Sequence, residues 1–399
     1  MPWTESSPMS ERVKFIARYL QLDTTMTELC EEFGVSRQTG YKWVARWNDA
    51  GPSGLNEQSR ARKTHPNAYA KDVRERVLAA RASHPSWGPL KLLSRLATVD
   101  PDIDWPCPSA VAVWLHEAGV TAPRRQARRV KRTAPMGGPV GTQDVPNETW
   151  ATDFKGEFRL ADGHNCYPLT LQDGCSRFLL ACSGLTDTRI ESAQPVYQRA
   201  FEEFGLPKRM RSDNGSPFAS ASLTGLTRLS VWWIKLGIEP DLTDPGNPQQ
   251  NGRLERFHRT LMETVDPRAA GFPDQQRRFD AFRAEYNDVR PHAALGHKPP
   301  AVSYTASTRP FPARLPEPEY DSYWTVRKIA PTGTVRIGRY RPSISRALAG
   351  EMVGLEPIGD GQWNVRFHAS VIATFDGRAG TLSTGTKIRK CSATETGRA

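Results

Sequence analysis

A change in hydrophobic periodicity near residue 149 constrains the fold of this chain more than any other feature. Before that point apolar residues recur at helical spacing. After it the sequence predicts three short antiparallel strands, joined by turn-rich segments, at 149–154, 167–172 and 177–183. A helical pattern over 190–204 and a short strand over 207–212 follow. This order predicts an α/β domain in the middle of the chain.

Three carboxylates occupy distinct positions in that α/β pattern. Asp153 lies on the first strand, within Trp-Ala-Thr-Asp-Phe, and Asp213 follows the strand at 207–212, within Arg-Ser-Asp-Asn-Gly. Glu255 comes after Asn-Pro-Gln-Gln-Asn-Gly-Arg-Leu, where an amphipathic helix is expected to start. Mg²⁺ takes oxygen ligands from a few carboxylates and from substrate phosphates. Three acids that converge from separate elements could therefore hold a metal pair against a phosphodiester.

The helix that carries Glu255 is expected to have two different faces. Apolar residues recur at i, i+3, i+7 and i+11 from Leu254, so one face should pack into the core. Glu255, Arg259 and Met262 lie on a neighbouring face that can look into a cleft. Arg256 is expected to contact phosphate or to pair within the core, and Arg259 to contact phosphate.

The N-terminal segment predicts a helix-turn-helix. Thr25 can cap a helix over 26–33, Gly34 can turn the chain, and Ser36 can cap a second helix over 37–48. A short helix, a glycine turn and a second capped helix are typical of DNA-binding helix-turn-helix units. Four side chains of the second helix are expected to face the major groove and its phosphates: Arg37, Gln38, Lys42 and Arg46. The alternative is a small helical domain with a solvated basic face.

A second helical unit is predicted to follow. Helical patterns cover 71–83, a stretch from 87, and 109–118, the last expected to be capped by Ser109 and ended by Gly119. The third helix could be a second recognition helix, although a plain three-helix bundle has the same pattern. Six basic residues then fall within 124–132 and are expected to track a phosphate backbone, with a solvated segment as the alternative. They are Arg124, Arg125, Arg128, Arg129, Lys131 and Arg132.

Composition narrows the class of protein further. The net charge of +11 and the pI near 9.5 favour a polyanionic partner. Six cysteines are scattered without metal-ligand spacing, which argues against a structural zinc site and a disulfide framework and fits the reducing cytoplasm. No apolar run approaches the length of a membrane span and the N-terminus is unlike a signal peptide, so membrane insertion is not expected.

Several motifs in a fixed order carry a specific resemblance. Trp150-x-x-Asp153, Ser212-Asp-Asn-Gly215 with Phe218, and Pro245-Gly-Asn-Pro-Gln-Gln-Asn-Gly252-x-x-Glu255-Arg-Phe resemble the integrase core of bacterial insertion-sequence transposases, akin to retroviral integrases. Tyr286-Asn-x-x-Arg290-Pro-His292, with Pro299, is similar to a further segment of those transposases. The similarity covers roughly residues 145–305, and the helix-turn-helix front end is also typical of them.

The resemblance implies a ribonuclease-H-like core and a chemistry. Asp153, Asp213 and Glu255 would be the catalytic DDE residues and the ligands of two Mg²⁺ ions, for which Mn²⁺ would substitute. Asp173 would lie outside that triad. The implied enzyme is a DNA transposase that binds the terminal inverted repeats of its element. Water would attack a phosphodiester to free a 3′-hydroxyl, which would then attack target DNA, with no covalent enzyme intermediate.

The same resemblance suggests partners and a location. Double-stranded DNA from the element ends and from the target would be bound by a homo-oligomer, in the bacterial cytoplasm at the nucleoid. No small-molecule cofactor and no membrane partner are expected. By analogy with integrases, five short strands at 324–329, 339–343, 351–357, 363–368 and 371–375 predict a small C-terminal SH3-like β-barrel.

Two departures from the family pattern leave alternatives open. The 41 residues between Asp213 and Glu255 make a longer gap than usual, and Met262 stands where these cores commonly carry Lys. One alternative is a weakened transposase relic that acts as a DNA-binding repressor. A ribonuclease-H-type nuclease on RNA–DNA hybrids is disfavoured, because helix-turn-helix units would add little to it. For His258 and His292 a structural role is expected, with DNA contact or assistance in proton movement as the alternative.

The predicted organisation is multidomain. Its expected limits are a helix-turn-helix domain at 1–50, a linker at 51–66, a second helical domain at 67–122, a basic linker at 123–143, the catalytic core at 144–308, a Pro-rich linker at 309–318, the barrel at 319–380 and a tail at 381–399.

Overall fold

The computed structural model describes residues 7–57, 69–121, 144–243, 252–265 and 269–384, and the backbone of 387–390. The chain divides into two compact units, Met1–Tyr69 and Ala70–Ala399, and each is described by itself. The basic run at 124–132 and the expected helix start at 247–251 lie outside the described residues. Within the described part, no helix is long and apolar enough to cross a membrane.

The first unit is the predicted helix-turn-helix. Its helices are α1 (Pro8–Tyr19), α2 (Met26–Glu32) and α3 (Arg37–Ala50). The predicted caps are confirmed: Thr25 and Glu28 form a reciprocal capping box on α2, and the Ser36 hydroxyl accepts from the Thr39 amide on α3. The α2–α3 crossing is tight, because a Cβ on Gly40 would lie 2.6 Å from Cys30 Sγ. Only glycine fits there without rearrangement.

The second unit opens with three helices, α4 (Lys71–Ser83), α5 (Pro89–Val99) and α6 (Pro108–Glu117). Their shared core contains Val77, Trp87 and Leu92, with Val289 of the following domain packed against it. The predicted cap of α6 was wrong. The helix is preceded by Cys107 without a side-chain cap and starts at Pro108, whose fixed φ suits the first helical position.

A mixed six-stranded sheet forms the middle of this unit. Its strands are β1 (Thr149–Phe154), β2 (Phe158–Arg159), β3 (Asn165–Asp173), β4 (Leu179–Leu185), β5 (Arg209–Ser212) and β6 (Glu239–Leu242). β3 pairs antiparallel with β1, β2 and β4, whereas β1–β5 and β5–β6 are parallel. The predicted antiparallel meander is therefore confirmed, and only the short strand β2 was missed.

Helices cover both faces of that sheet. They are α7 (Ile190–Phe204), α8 (Arg228–Lys235), α9 (Gly252–Thr264) and α10 (Phe272–Ala284). α7 and α8 pack with Trp150 and Met210, and α9 and α10 pack with Leu179 and Cys182. This arrangement confirms the ribonuclease-H-like order. α8 starts at Arg228, because Thr227 and Ser230 exchange capping hydrogen bonds just before it.

The C-terminal region is a six-stranded antiparallel sheet. Its strands are β7 (Thr325–Lys328), β8 (Met352–Gly359), β9 (Gln362–Phe367), β10 (Ser370–Asp376), β11 (Thr381–Thr384) and β12 (Lys387–Lys390), paired in sequence order. The strand predicted at 339–343 is reduced to isolated bridges, and Pro342 there offers no N–H to a ladder. The expected tail at 381–399 instead begins with β11 and β12, and Leu382 is buried in the sheet's core.

α8 joins the two sheets into one structure. Leu229 and Trp233 belong to the core of the central sheet, whereas Val231 and Ile234 belong to the core of the C-terminal sheet. α8 therefore has two apolar faces, one packed against each sheet. The C-terminal sheet is therefore packed against the α/β domain through a shared apolar core.

Candidate active site

Asp153 lies on β1 with its carboxylate turned away from the apolar face that packs on α7. Alternate residues of a strand point to opposite faces. Thr152 and Phe154 accordingly face the α7 side, where the Thr152 hydroxyl lies 2.7 Å from the Tyr197 hydroxyl. Asp153 faces α9, and its side chain is 19% exposed. Near its C-terminal end, β1 thus presents one carboxylate on the α9 side of the sheet.

Asp213 follows the neighbouring strand β5 and lies level with Asp153 along the sheet. β1 and β5 are parallel, with Thr149 opposite Arg209 and Ala151 opposite Arg211. Continuing that register by two residues brings position 153 level with position 213. The turn after β5 is fixed by the Gly215 amide, which donates to Asp213 Oδ1 at 3.0 Å. The sheet therefore sets two carboxylates side by side.

Glu255 completes the group from the first turn of α9, where it is exposed. Burial, and after it the negative charges of Asp213 and Glu255, together raise the pKa of Asp153 to about 7. A hydrogen bond from the Phe154 amide and the charge of Lys155 oppose that rise. The three acids predicted from sequence therefore act on one another electrostatically at the site.

The chemistry of these donors fits a divalent cation. Carboxylate oxygens are hard ligands suited to Mg²⁺, and a cation would relieve the repulsion that raises the pKa of Asp153. Within the described residues, no three His, Cys, Asp or Glu side chains are grouped closely enough to hold a metal ion as they stand. The charges of Asp213 and Glu255 act on Asp153, and the Glu255 side chain is exposed.

His258 is the site neighbour whose position the sequence did not indicate. It is 4% exposed on α9, its Nε2 lies 2.8 Å from Thr170 Oγ1, and its Nδ1 lies 3.8 Å from Asp153 Oδ2. Burial lowers its pKa to about 3, so the imidazole is neutral and makes no ion pair with Asp153. Burial likewise lowers the pKa of His292 to about 3, and that ring packs against Tyr286.

Asp173 has a different environment from the triad. It is fully buried, and its carboxylate accepts hydrogen bonds from the Asn147 amide and from the amide and hydroxyl of Ser176 at 2.6–2.7 Å. These bonds close the β3–β4 turn. Asp173 pairs with Trp150, at the opposite end of the β1–β3 ladder from Asp153. Its geometry is that of a turn-forming residue.

The predicted faces of α9 are observed. Leu254, Phe257 and Leu261 are each buried to within 4% exposure. Arg256 and Arg259 are exposed, whereas Met262 is half-buried. The two arginines therefore present positive charge on the helix that carries Glu255.

The DNA-facing set predicted on α3 lies within the first unit and is only partly free. Arg37 and Gln38 are exposed. Lys42 is also exposed, but its Nζ lies 4.9 Å from the centroid of the Trp43 ring, and the half-buried Arg46 guanidinium lies at the same distance from that ring. Tyr41 was missed, although it is 59% exposed one turn after Arg37. An aromatic residue four positions from a basic one on a predicted outer face was the available signal.

Comparison with known families agrees with this geometry. Residues 143–248 and 236–300 match two models that are both described as an integrase core domain. Residues 11–63 match a helix-turn-helix domain, and 39–115 match a homeodomain-like domain.

Individual relatives point the same way. The chain is 30% identical over 181 residues to the insertion element IS476 uncharacterized 39.2 kDa protein of Xanthomonas euvesicatoria. The aligned residues cover 44% of this chain and 50% of that protein. It is 31% identical over 122 residues to the Gag-Pol polyprotein of koala retrovirus, covering 31% of this chain and 7% of the polyprotein. It thus spans about half the length of its insertion-element relative and a small part of the polyprotein.

Among solved structures, the simian T-cell lymphotropic virus intasome in complex with PP2A regulatory subunit B56 gamma shows 13% identity and a TM-score of 0.37, over 79% of this chain and 99% of that one. That similarity is too low to add to the assignment, which depends on the domain matches and on the sheet order. Residues 143–300 of this chain thus match the integrase core domain, and the matches to a helix-turn-helix domain and a homeodomain-like domain precede them in the sequence.

Proposed function

We propose that this protein is a DNA transposase of the DDE polynucleotidyl transferase type. It binds the terminal inverted repeats of its element, cleaves the 3′ ends and transfers them into target DNA. The observation that carries the proposal is the electrostatic coupling of Asp153 to Asp213 and Glu255 within an integrase core domain. The DDE roles of these residues and their use as metal ligands belong to the proposal.

Each residue then has a defined task. Asp153, Asp213 and Glu255 would hold two Mg²⁺ ions, or Mn²⁺ ions in their place. Such a pair activates an attacking oxygen and stabilises a leaving one. The protein itself positions the scissile phosphodiester, through Arg256 and Arg259 on the exposed side of α9. Neutral His258 packs against Asp153 and limits the directions in which that carboxylate can turn. Water attack frees a 3′-hydroxyl, and this hydroxyl attacks target DNA.

The remaining domains bind the DNA. Arg37, Gln38 and Lys42 read the element end, with Arg46 supporting them, and the basic run at 124–132 adds a salt-sensitive backbone contact. We extend the proposal to a homo-oligomer that assembles on DNA in the bacterial cytoplasm, and to an SH3-like barrel built on the C-terminal sheet. The domain limits expected from sequence are kept as part of it, with the last domain lengthened to include β11 and β12.

End cleavage with purified protein tests the proposal. The substrate is a duplex oligonucleotide that ends in the inverted repeat found beside the gene, incubated with Mg²⁺, Mn²⁺ or EDTA. We expect metal-dependent release of the 3′ end, abolished by Asp153→Asn and by Glu255→Gln. Glu263→Gln is the matched control, because Glu263 is also exposed on α9. End binding without cleavage in either metal would favour the repressor. Wild-type activity in Asp153→Asn would refute the assigned site.

A further inference from the structure

Lys155 lies beside the acidic site, two residues after Asp153. Its amide donates to Pro168 O at 2.9 Å, so the pairing of β1 with β3 continues past the end of the strand. Strand alternation then places Lys155 on the same face as Asp153, whereas Phe154 between them packs on the opposite side against Phe218. Lys155 is therefore directed to the α9 side of the sheet.

The charge of Lys155 is not neutralised by an ion pair. It acts electrostatically on both Asp153 and His258, which agrees with the face that the backbone gives it. Within the described residues, no carboxylate lies in ion-pair distance of its Nζ, and the residue is half-exposed. A lysine has a long flexible stem that ends in a compact point charge. The ammonium is thus available to a ligand at this edge of the sheet.

The direction in which α9 runs determines which of its residues lies level with Lys155. Arg253 Nη1 donates to Gly174 O, and the Gly174 amide donates to Thr149 O at the start of β1. His258 then lies beside Asp153, so α9 runs in the same direction as β1. A strand advances about 3.3 Å per residue and a helix about 1.5 Å. Met262, one helical turn after His258, therefore comes to about the level of Lys155.

From this juxtaposition we infer that Lys155 binds a DNA backbone phosphate next to the scissile bond. It supplies from the strand the positive charge that α9 lacks at Met262. The inference rests on the proposed function, because it requires DNA in the active-site cleft. There are two alternatives for Lys155. It is a solvated surface charge, or its ammonium stabilises the neighbouring carboxylates in the folded protein. The experiment below separates all three.

The variants are Lys155→Met, which keeps the stem, and Lys155→Arg, which keeps the charge. Lys208→Met is the control, because Lys208 precedes β5 at the end away from Asp213 and pairs with Glu148. Single-turnover cleavage is measured while the concentration of the end duplex is varied. We expect Lys155→Met to raise the half-saturating DNA concentration about tenfold, the loss of one phosphate contact. We expect Lys155→Arg to restore most of that loss and the Mg²⁺ midpoint to stay unchanged.

Binding without cleavage gives an independent measurement. In EDTA, the dependence of log K on log salt should become shallower by about 0.9 for Lys155→Met, and should not change for Lys155→Arg. An unchanged slope would overturn the inference, as would equal losses in Lys155→Met and Lys208→Met. A changed melting temperature with an unchanged slope would identify the counter-ion role instead. If wild-type protein binds but never cleaves, the proposed function fails while the salt slope still decides on Lys155.

Discussion

The stability of the metal-free protein should depend on pH through Asp153 in an unusual direction. Its folded pKa is raised from 3.8 to about 7, first by burial and then by repulsion from Asp213 and Glu255. Between those two values the folded state binds a proton that the unfolded state has released. This contribution to stability is therefore fully present below about pH 4, falls as pH rises, and is lost above about pH 7.

The magnitude follows from the difference between the two values. At 1.36 kcal/mol per pKa unit, the penalty for the ionised, metal-free Asp153 reaches about 4 kcal/mol as an upper limit. Asp153→Asn removes the charge and keeps the shape. We expect it to raise the free energy of unfolding by up to that amount at pH 8, and to leave it nearly unchanged at pH 4. An active-site substitution would thus stabilise the protein.

Thermal melting in EDTA at pH 4, 6 and 8 is the assay, with a shift of about 2–4 °C for each kcal/mol in a domain of this size. Asp173→Asn is the control, because that buried carboxylate accepts hydrogen bonds on both of its oxygens, and an amide nitrogen in place of either oxygen cannot accept them. It should destabilise by about 1–3 kcal/mol at pH 8. Mg²⁺ should raise the melting temperature of the wild type and leave that of Asp153→Asn unchanged. A stabilisation by Asp153→Asn that is absent, or equal at pH 4 and pH 8, would refute the reasoning.

Three further outcomes follow from the packing and the charges. Lys42→Ala should leave the melting temperature unchanged but make the salt dependence of DNA binding shallower by about 0.9, by fluorescence anisotropy; an unchanged slope would place Lys42 away from phosphate. Gly40→Val should destabilise the first unit by about 1–3 kcal/mol, since even a Cβ there lies 2.6 Å from Cys30 Sγ; wild-type amide exchange in α2 and α3 would contradict this. Leu348→Ala, fully buried in the core shared with α8, should cost about 2–5 kcal/mol and lower one melting transition common to both sheets; separate transitions would contradict the shared core.

Local signals explain what could be predicted from the sequence. The caps at Thr25 and Ser36 and the strand at Thr149–Phe154 depend on neighbouring residues, and all are observed. The family motifs around Asp153, Asp213 and Glu255 single out these acids, and their catalytic role stays a prediction. Their electrostatic coupling then emerged from the register of two parallel strands, which no single motif encodes.

Long-range packing explains what could not be predicted. α8 has two apolar faces because it lies between two sheets, and the sequence shows the apolar residues without showing the second sheet. The strands after residue 380 depend on Leu382 entering a core built from residues far away in the chain. His258 and Lys155 resemble ordinary polar residues until α9 is placed along β1. Each of these three features depends on a contact between distant segments.

The central claim is that Asp153, Asp213 and Glu255 work as one metal-dependent unit. Single-turnover cleavage of the end duplex, in Asp153→Asn, Glu255→Gln and the double variant, tests it most directly. Residues that act as a unit give strongly non-additive losses. We expect each single change to remove nearly all metal-dependent cleavage and the double variant to be no slower than either. Two partial losses that multiply in the double variant would contradict it.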